Sequence, residues 1–369
     1  MRLCFICETP LHVLNSVNYV ANQEEFSDAQ VDFYIGRRFY DSENVADRLR
    51  RSGIVHNVYT YSMDKKNIAL PARIKAIFLK KSFIADCIDG PFNSKVLNYD
   101  YVHFAFFGPM PYAMVFANKR AKVRYFEDGL GTYVGTSATE DFSLLRKTLY
   151  TLTGTDYTRL FKPEVLFVNN KAMCASHVTE DIRQLPLFAC MTPALREQLY
   201  YIFGYQKNPV YTERKCVYLS RPNDFGPASV DVLDRKIENV LSHFSDDFVL
   251  RMHPRQSAFA VGQMQPDTSR NSWELMCIDE ITEDHILVGW FSTAQVVPKF
   301  ILDKEPWLVF YYPIYQRNAD TESDVYASFD QLVDRLKKSY RAPEKIVTVG
   351  AIESLPAALA SVIEEANNK

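Results

Sequence analysis

Three short stretches of the chain bring together residues that could move a proton or hold an anion. The first runs from Arg124 to Tyr133, where a β-rich run closes on Glu127-Asp128-Gly129 and then Gly131. Successive strand residues point to opposite sides, so at most one of the two carboxylates naturally faces a given cleft. A carboxylate there can act as general base on a substrate hydroxyl, and Gly129 and Gly131 allow a sharp turn and close backbone approach. An Asp-Gly turn with solvated acids is the other reading, and both stay open at this point. The second stretch is Arg251-Met252-His253-Pro254-Arg255-Gln256. A histidine at a strand end can donate to an anion. Beside a phosphate its proton is favoured, which makes it a candidate acid for a phosphate leaving group. The third stretch passes from Gly289-Trp290-Phe291 to Ser292-Thr293 at an expected helix start. Those hydroxyls, the free N–H groups and the positive helix end make an anion site, with which simple N-capping by Ser292 is compatible.

These residues need rigid elements behind them, and the hydrophobic pattern supplies candidates. Strands are expected at Leu3–Cys7, Val31–Ile35, Val55–Tyr61, Tyr101–Phe106 and Val123–Phe126, with helices at Leu11–Ala21 and Ser42–Ser52. A second series begins near Lys215. Strands fall at Cys216–Leu219, Phe248–Met252, His285–Val288 and Trp307–Tyr311, with helices at Ala228–Phe244, from Ser292, and at Ile352–Asn367. Strand, helix and strand in repetition argue for parallel sheets with crossover helices. Thr139–Asn208 reads as helical and mixed, ending in a linker at Tyr205 to Pro209. The expected class is α/β, with two Rossmann-like, doubly wound domains and a cleft between them. The boundaries are residues 1–205, 213–350 and a final helical segment, 351–369. Ligands then belong at the carboxyl ends of the strands.

Composition and missing motifs narrow the chemistry. The chain has 369 residues, 47% hydrophobic and 24% charged, with a net charge of −3. That is an ordinary globular composition, and it offers no dominant basic surface for nucleic acid. Seven cysteines at scattered positions, with a lone Cys4-x-x-Cys7 inside an apolar run, give no zinc or redox pattern and fit a reducing cytoplasm. No signal peptide is expected, and the longest apolar stretch, Tyr101–Ala117, is broken by His103, Pro109 and Pro111. No phosphate-binding P-loop, dinucleotide-binding glycine fingerprint or G-x-S-x-G elbow occurs. Nowhere are two aspartates separated by one residue, the arrangement many sugar-nucleotide enzymes use to hold a divalent metal. A monophosphate held by histidine, serine and a helix end is therefore favoured over a metal-bound diphosphate.

Taken together the three clusters resemble bacterial sialyltransferases, in particular glycosyltransferase family 52, the lipooligosaccharide sialyltransferases. Glu127-Asp128-Gly129 matches the acid-Asp-Gly motif, His253-Pro254 the His-Pro motif and Phe291-Ser292 the aromatic-Ser motif. The opening, Cys4 to Leu11 with Thr9-Pro10, looks like the family's first strand and helix. The resemblance implies a GT-B fold and inverting transfer without metal or other cofactor. The donor would be CMP-sialic acid and the acceptor a terminal galactose on lipooligosaccharide or a capsular glycan. His253 would assist departure of the CMP phosphate, with Ser292 and Thr293 binding it and Asp279 or Glu280 contacting the nucleotide. Thr9, Pro10, Gly129, Ser220, Pro254, Arg255 and Phe291 complete the implied substrate-binding set. Asp128 is the favoured base, with Glu127 its competitor. A second family assignment, after the first strand of the second domain, meets Asn223 in strict register and reaches Asp224 only by a one-residue shift. The resemblance also implies a final helix returning to the N-terminal domain and a homodimer through Thr139–Asn208. It implies a cytoplasmic protein with peripheral contact at the inner face of the plasma membrane, where runs such as Arg48 to Arg51 and Lys80-Lys81 would serve. A UDP-sugar-dependent α-glucosyltransferase of the same family is one alternative. A non-catalytic sugar-nucleotide or glycan-binding protein is another, though such a module needs neither base nor acid.

Overall fold

The computed structural model describes residues 1–63, 78–134, 156, 158–175, 179–221, 228–253, 264–318 and 324–368, with backbone only at 228–231, 318 and 324–325. The chain divides into two compact units, Met1–Tyr205 and Gln206–Lys369. Each unit is built on one sheet whose strands all run parallel.

The N-terminal sheet comprises β1 (Arg2–Cys7), β2 (Gln30–Gly36), β3 (Asn57–Tyr61), β4 (Tyr101–Phe104), β5 (Lys122–Phe126), β6 (Val165–Val168) and β7 (Ile182–Gln184). Their order is β3-β2-β1-β4-β5-β6-β7. The connecting helices are α1 (Pro10–Ala21), α2 (Ser42–Ser52), α3 (Lys80–Cys87), α4 (Pro109–Ala117) and α5 (Pro193–Phe203). Helices cover such a sheet on both faces, so its inner strands are apolar without alternation. Leu3 to Cys7 and Val31 to Gly36 are buried without a break. At the centre His103 stacks on Phe5 with ring centroids 4.2 Å apart, and its Nδ1 hydrogen-bonds the Cys4 carbonyl at 3.2 Å. Burial drives the His103 pKa down to about 3, so this histidine is a neutral core residue.

The C-terminal sheet comprises β8 (Cys216–Leu219), β9 (Phe248–Arg251), β10 (Gln265–Pro266), β11 (Ile286–Gly289), β12 (Trp307–Phe310) and β13 (Ile346–Thr348), in the order β10-β9-β8-β11-β12-β13. Its helices are α6 (Ala228–Ser242), α7 (Trp273–Asp279), α8 (Thr293–Leu302), α9 (Tyr312–Asn318), α10 (Asp324–Ser339) and α11 (Leu355–Asn367). The resemblance sends α11 back to the N-terminal half. Its apolar stripe, Leu355, Leu359 and Val362, is buried in the C-terminal unit's own core with Trp307 and Val309. In both sheets the strand order reverses beside the first strand of the unit, between β1 and β4 and between β8 and β11. Open α/β sheets bind ligands outside the carboxyl ends at that switch point.

Candidate functional site

The chain leaves β1 through Glu8 and starts α1 at Thr9-Pro10. The Thr9 hydroxyl accepts from the His12 N–H at 3.3 Å, and Pro10 fills the first helical turn, where a missing N–H costs nothing. Thr9 and Pro10 thus set the helix start. The residue they deliver to the switch point is His12, which no motif in the sequence marks. Its Nδ1 accepts the Glu8 N–H at 3.2 Å and its Nε2 lies 2.9 Å from Asp128 Oδ1.

The two acids after β5 have opposite fates, as strand alternation requires. Glu127 continues the β5–β6 ladder, its N–H donating to the Phe167 carbonyl at 2.9 Å. Its side chain turns inward, where the Asn169 N–H and side-chain amide donate at 2.6 and 2.8 Å and the Tyr133 hydroxyl also donates. Burial raises the Glu127 pKa, against the pull of these hydrogen bonds. With a relative exposure of 2%, Glu127 is a clasp between β5 and the end of β6 and has no face for a substrate. Asp128 turns outward, its side chain 52% exposed. The next residue, Gly129, has φ +98°, a left-handed conformation that glycine alone enters without strain. The Asp128 N–H donates to Thr132 Oγ1 at 3.1 Å, which closes the turn.

In the C-terminal unit the strand ends are laced together at Ser220. Its N–H donates to the Arg251 carbonyl at 3.1 Å, and its hydroxyl accepts the His253 N–H at 2.9 Å. Ser220 therefore holds the backbone of His253 at the carboxyl edge of β9. Arg251 is not available to an anion. Its guanidinium pairs with the buried Asp267 and donates to the Asn271 carbonyl. Pro254 and Arg255 lie outside the described residues, as do Asn223 and Asp224.

The third cluster sits at the start of α8. Phe291 is 3% exposed and stacks on Phe329 at 4.3 Å, so its ring anchors the turn from inside. Gln295, fully buried, accepts the Ser292 N–H at 3.3 Å and donates to the Val309 carbonyl at 3.2 Å. Gly289 makes room for it, since a Cβ there would lie 2.8 Å from Gln295 Oε1. The backbone of the helix start is thereby fixed, Ser292 and Gln295 forming a reciprocal capping box at the first turn of α8. Thr293 is the first residue of α8, at the same end.

Asp279 and Glu280 fall elsewhere. They end α7, the helix that leads into β11, so they sit at the amino edge of the sheet, opposite Ser292. Asp279 pairs with Lys207 at 3.1 Å and Glu280 accepts the Asn208 N–H at 2.8 Å. The acidic pair thus fastens the first residues of the C-terminal unit, a correction to its expected nucleotide contact. Two further histidines have structural partners. Besides His103, the buried His285 hydrogen-bonds the Tyr211 carbonyl at 2.9 Å, and burial lowers its pKa to about 4.

No protein-family model matches the sequence, and no curated protein matches it. Solved structures do. The spinosyn forosaminyltransferase SpnP is 10% identical with a TM-score of 0.56, covering 100% of this chain and 92% of its own. The kitacinnamycin glycotransferase is 10% identical with a TM-score of 0.56, covering 100% and 91%. A sialyltransferase from Photobacterium damsela is 13% identical with a TM-score of 0.48, covering 94% and 81%. At these identities the likeness speaks to architecture, and with the two parallel sheets it establishes a two-domain, Rossmann-like GT-B fold.

Proposed function

We propose that the protein is an inverting, metal-independent glycosyltransferase that moves sialic acid from CMP-sialic acid to a galactose hydroxyl of a lipooligosaccharide or capsular glycan. The observation that carries this reading is the division of labour in Glu127-Asp128-Gly129. One acid is wholly engaged in the fold, while the other presents a carboxylate beside His12 at the carboxyl edge of the N-terminal sheet. A binding module has no need of an exposed carboxylate held by a histidine there. The motif resemblance supplies the donor class, and the start of α8 at Ser292 and Thr293, at the carboxyl end of β11, supports a phosphate at the C-terminal switch point.

In this reading Asp128 takes the proton of the acceptor hydroxyl as that oxygen forms its bond to the donor's anomeric carbon. The anomeric carbon–oxygen bond to CMP breaks with its electron pair on the phosphate oxygen. His253 donates a proton or hydrogen bond to that oxygen, and Ser292, Thr293 and the α8 N–H groups hold the phosphate. Ser220 keeps His253 in place through the backbone.

The test is transfer from CMP-sialic acid to galactose-terminated oligosaccharides, followed by mass spectrometry in metal-free buffer. Sialylated product is expected, and it should disappear in His253→Ala while the circular dichroism spectrum persists. Wild-type-like turnover in that variant would remove His253 from the mechanism. Glucosylated product from a UDP-sugar, with none from CMP-sialic acid, would replace the donor.

A further inference from the structure

We infer that His12 is the positioning residue for the Asp128 carboxylate, holding one oxygen so that the other faces the acceptor hydroxyl. This deepens the proposed function and rests on it. The tautomer of His12 follows from its neighbours. Nδ1 accepts a backbone N–H from Glu8 at 3.2 Å, which leaves the ring proton of the neutral imidazole on Nε2, directed at Asp128 Oδ1 at 2.9 Å. Exposure then assigns the roles within the pair. The His12 side chain is 3% exposed and that of Asp128 is 52% exposed, so Asp128 is the member that can meet an acceptor. The reverse assignment, His12 as base with Asp128 behind it, would need the imidazole to be the open partner.

A carboxylate at the edge of a glycine turn otherwise samples several rotamers. A charge-assisted hydrogen bond to Oδ1 fixes its plane and leaves the lone pairs of Oδ2 outward, which is the geometry proton abstraction requires. His12 can impose this because it is itself held from behind. Thr9 caps its backbone N–H, and the Phe106 ring lies parallel to the imidazole, with centroids 6.1 Å apart. Glu8, whose N–H fixes Nδ1, is anchored by its own carboxyl, which accepts the Tyr61 hydroxyl at 2.5 Å and pairs with Arg38 at 3.0 Å. Gly36 leaves the space for that carboxyl, since a Cβ there would lie 2.9 Å from Glu8 Oε1. The ends of β1, β2 and β3 are thereby coupled through one imidazole to the carboxylate after β5.

Two measurements on the full-length protein test this. Steady-state transfer from CMP-sialic acid should show kcat reduced ~10–100-fold in His12→Ala, as expected for a misplaced reacting group, with the donor KM unchanged. His12→Gln, whose amide N–H can reach the same oxygen, should recover most of the loss. Wild-type kcat in His12→Ala would overturn the assignment. So would a His12→Gln variant as slow as the alanine one, because that would leave ring packing as the only role. The second measurement is nitrogen NMR of labelled histidines, which needs no turnover. A neutral Nε2–H tautomer is expected for His12, with its Nε2 signal displaced in Asp128→Ala, and a signal indifferent to that substitution would overturn the pairing. Absence of any transfer by the wild-type protein would instead refute the proposed function, and the NMR result would still decide the pair.

Discussion

Glu127 and Asp128 are adjacent, share a charge and differ wholly in circumstance, so substituting them separates structure from chemistry. All three groups bonded to Glu127 are donors. Glu127→Gln would set an amide N–H against one of them, and the loss is expected to be ~1–3 kcal/mol of stability, the cost of a buried unmatched polar group. A lowered urea midpoint would show it. Asp128→Asn should leave that midpoint in place and lower kcat by ~10²–10⁴-fold, the usual worth of a general base. Equal turnover in wild type and Asp128→Asn would remove Asp128 as base. The sequence made both acids candidates and could not rank them from the cluster alone. What ranks them is Asn169, which closes over Glu127 from β6 and is remote in the sequence. His12 was invisible for a similar reason, since a histidine on the buried face of a helix reads as core until its partner across the sheet is known.

At the scale of elements, the site depends on turns where strands end, and glycines control several of them. Gly129→Ala would place a Cβ at φ +98°, a strain of ~1–3 kcal/mol that the chain can relieve by moving Asp128. Both stability and turnover should fall, and the crystal structure of the variant should show the carboxylate displaced from His12. An undisplaced Asp128 would mean that the glycine is dispensable. Most elements were legible because apolar runs and helical periods are local. Strand Cys216–Leu219 and helix Ser42–Ser52 lie where the pattern predicts them. Strands β6 and β7 fell in a segment read as mixed. Val165–Val168 is too short to separate from buried helix, and Ile182–Gln184 is a partly exposed edge strand with no apolar run. The acids at the end of α7 were misplaced because a motif match carries no information about which edge of a sheet a residue occupies. Parallel topology decides that edge.

For the molecule as a whole, two neutral buried histidines make stability sensitive to acid. His103 and His285 have pKa values lowered by burial to about 3 and about 4 from an ordinary 6.5. The unfolded chain therefore takes up protons first, so their contribution is intact above about 6.5 and declines as pH falls toward the folded values. Between pH 7 and pH 5 each should cost ~2 kcal/mol, and urea midpoints at the two pH values would show it. An unchanged midpoint would mean that one or both histidines charge within the fold.

The proposed chemistry depends on the donor nucleotide. Its most direct test is calorimetric titration of the whole protein with CMP and with UDP, first without metal and then with Mg²⁺. CMP should bind without metal, Mg²⁺ should add nothing, and UDP should give no heat of binding. Replacing Ser292 by Ala should weaken the CMP isotherm by about tenfold, the loss of one good phosphate hydrogen bond. Preferential binding of UDP, or a requirement for Mg²⁺, would contradict the central claim.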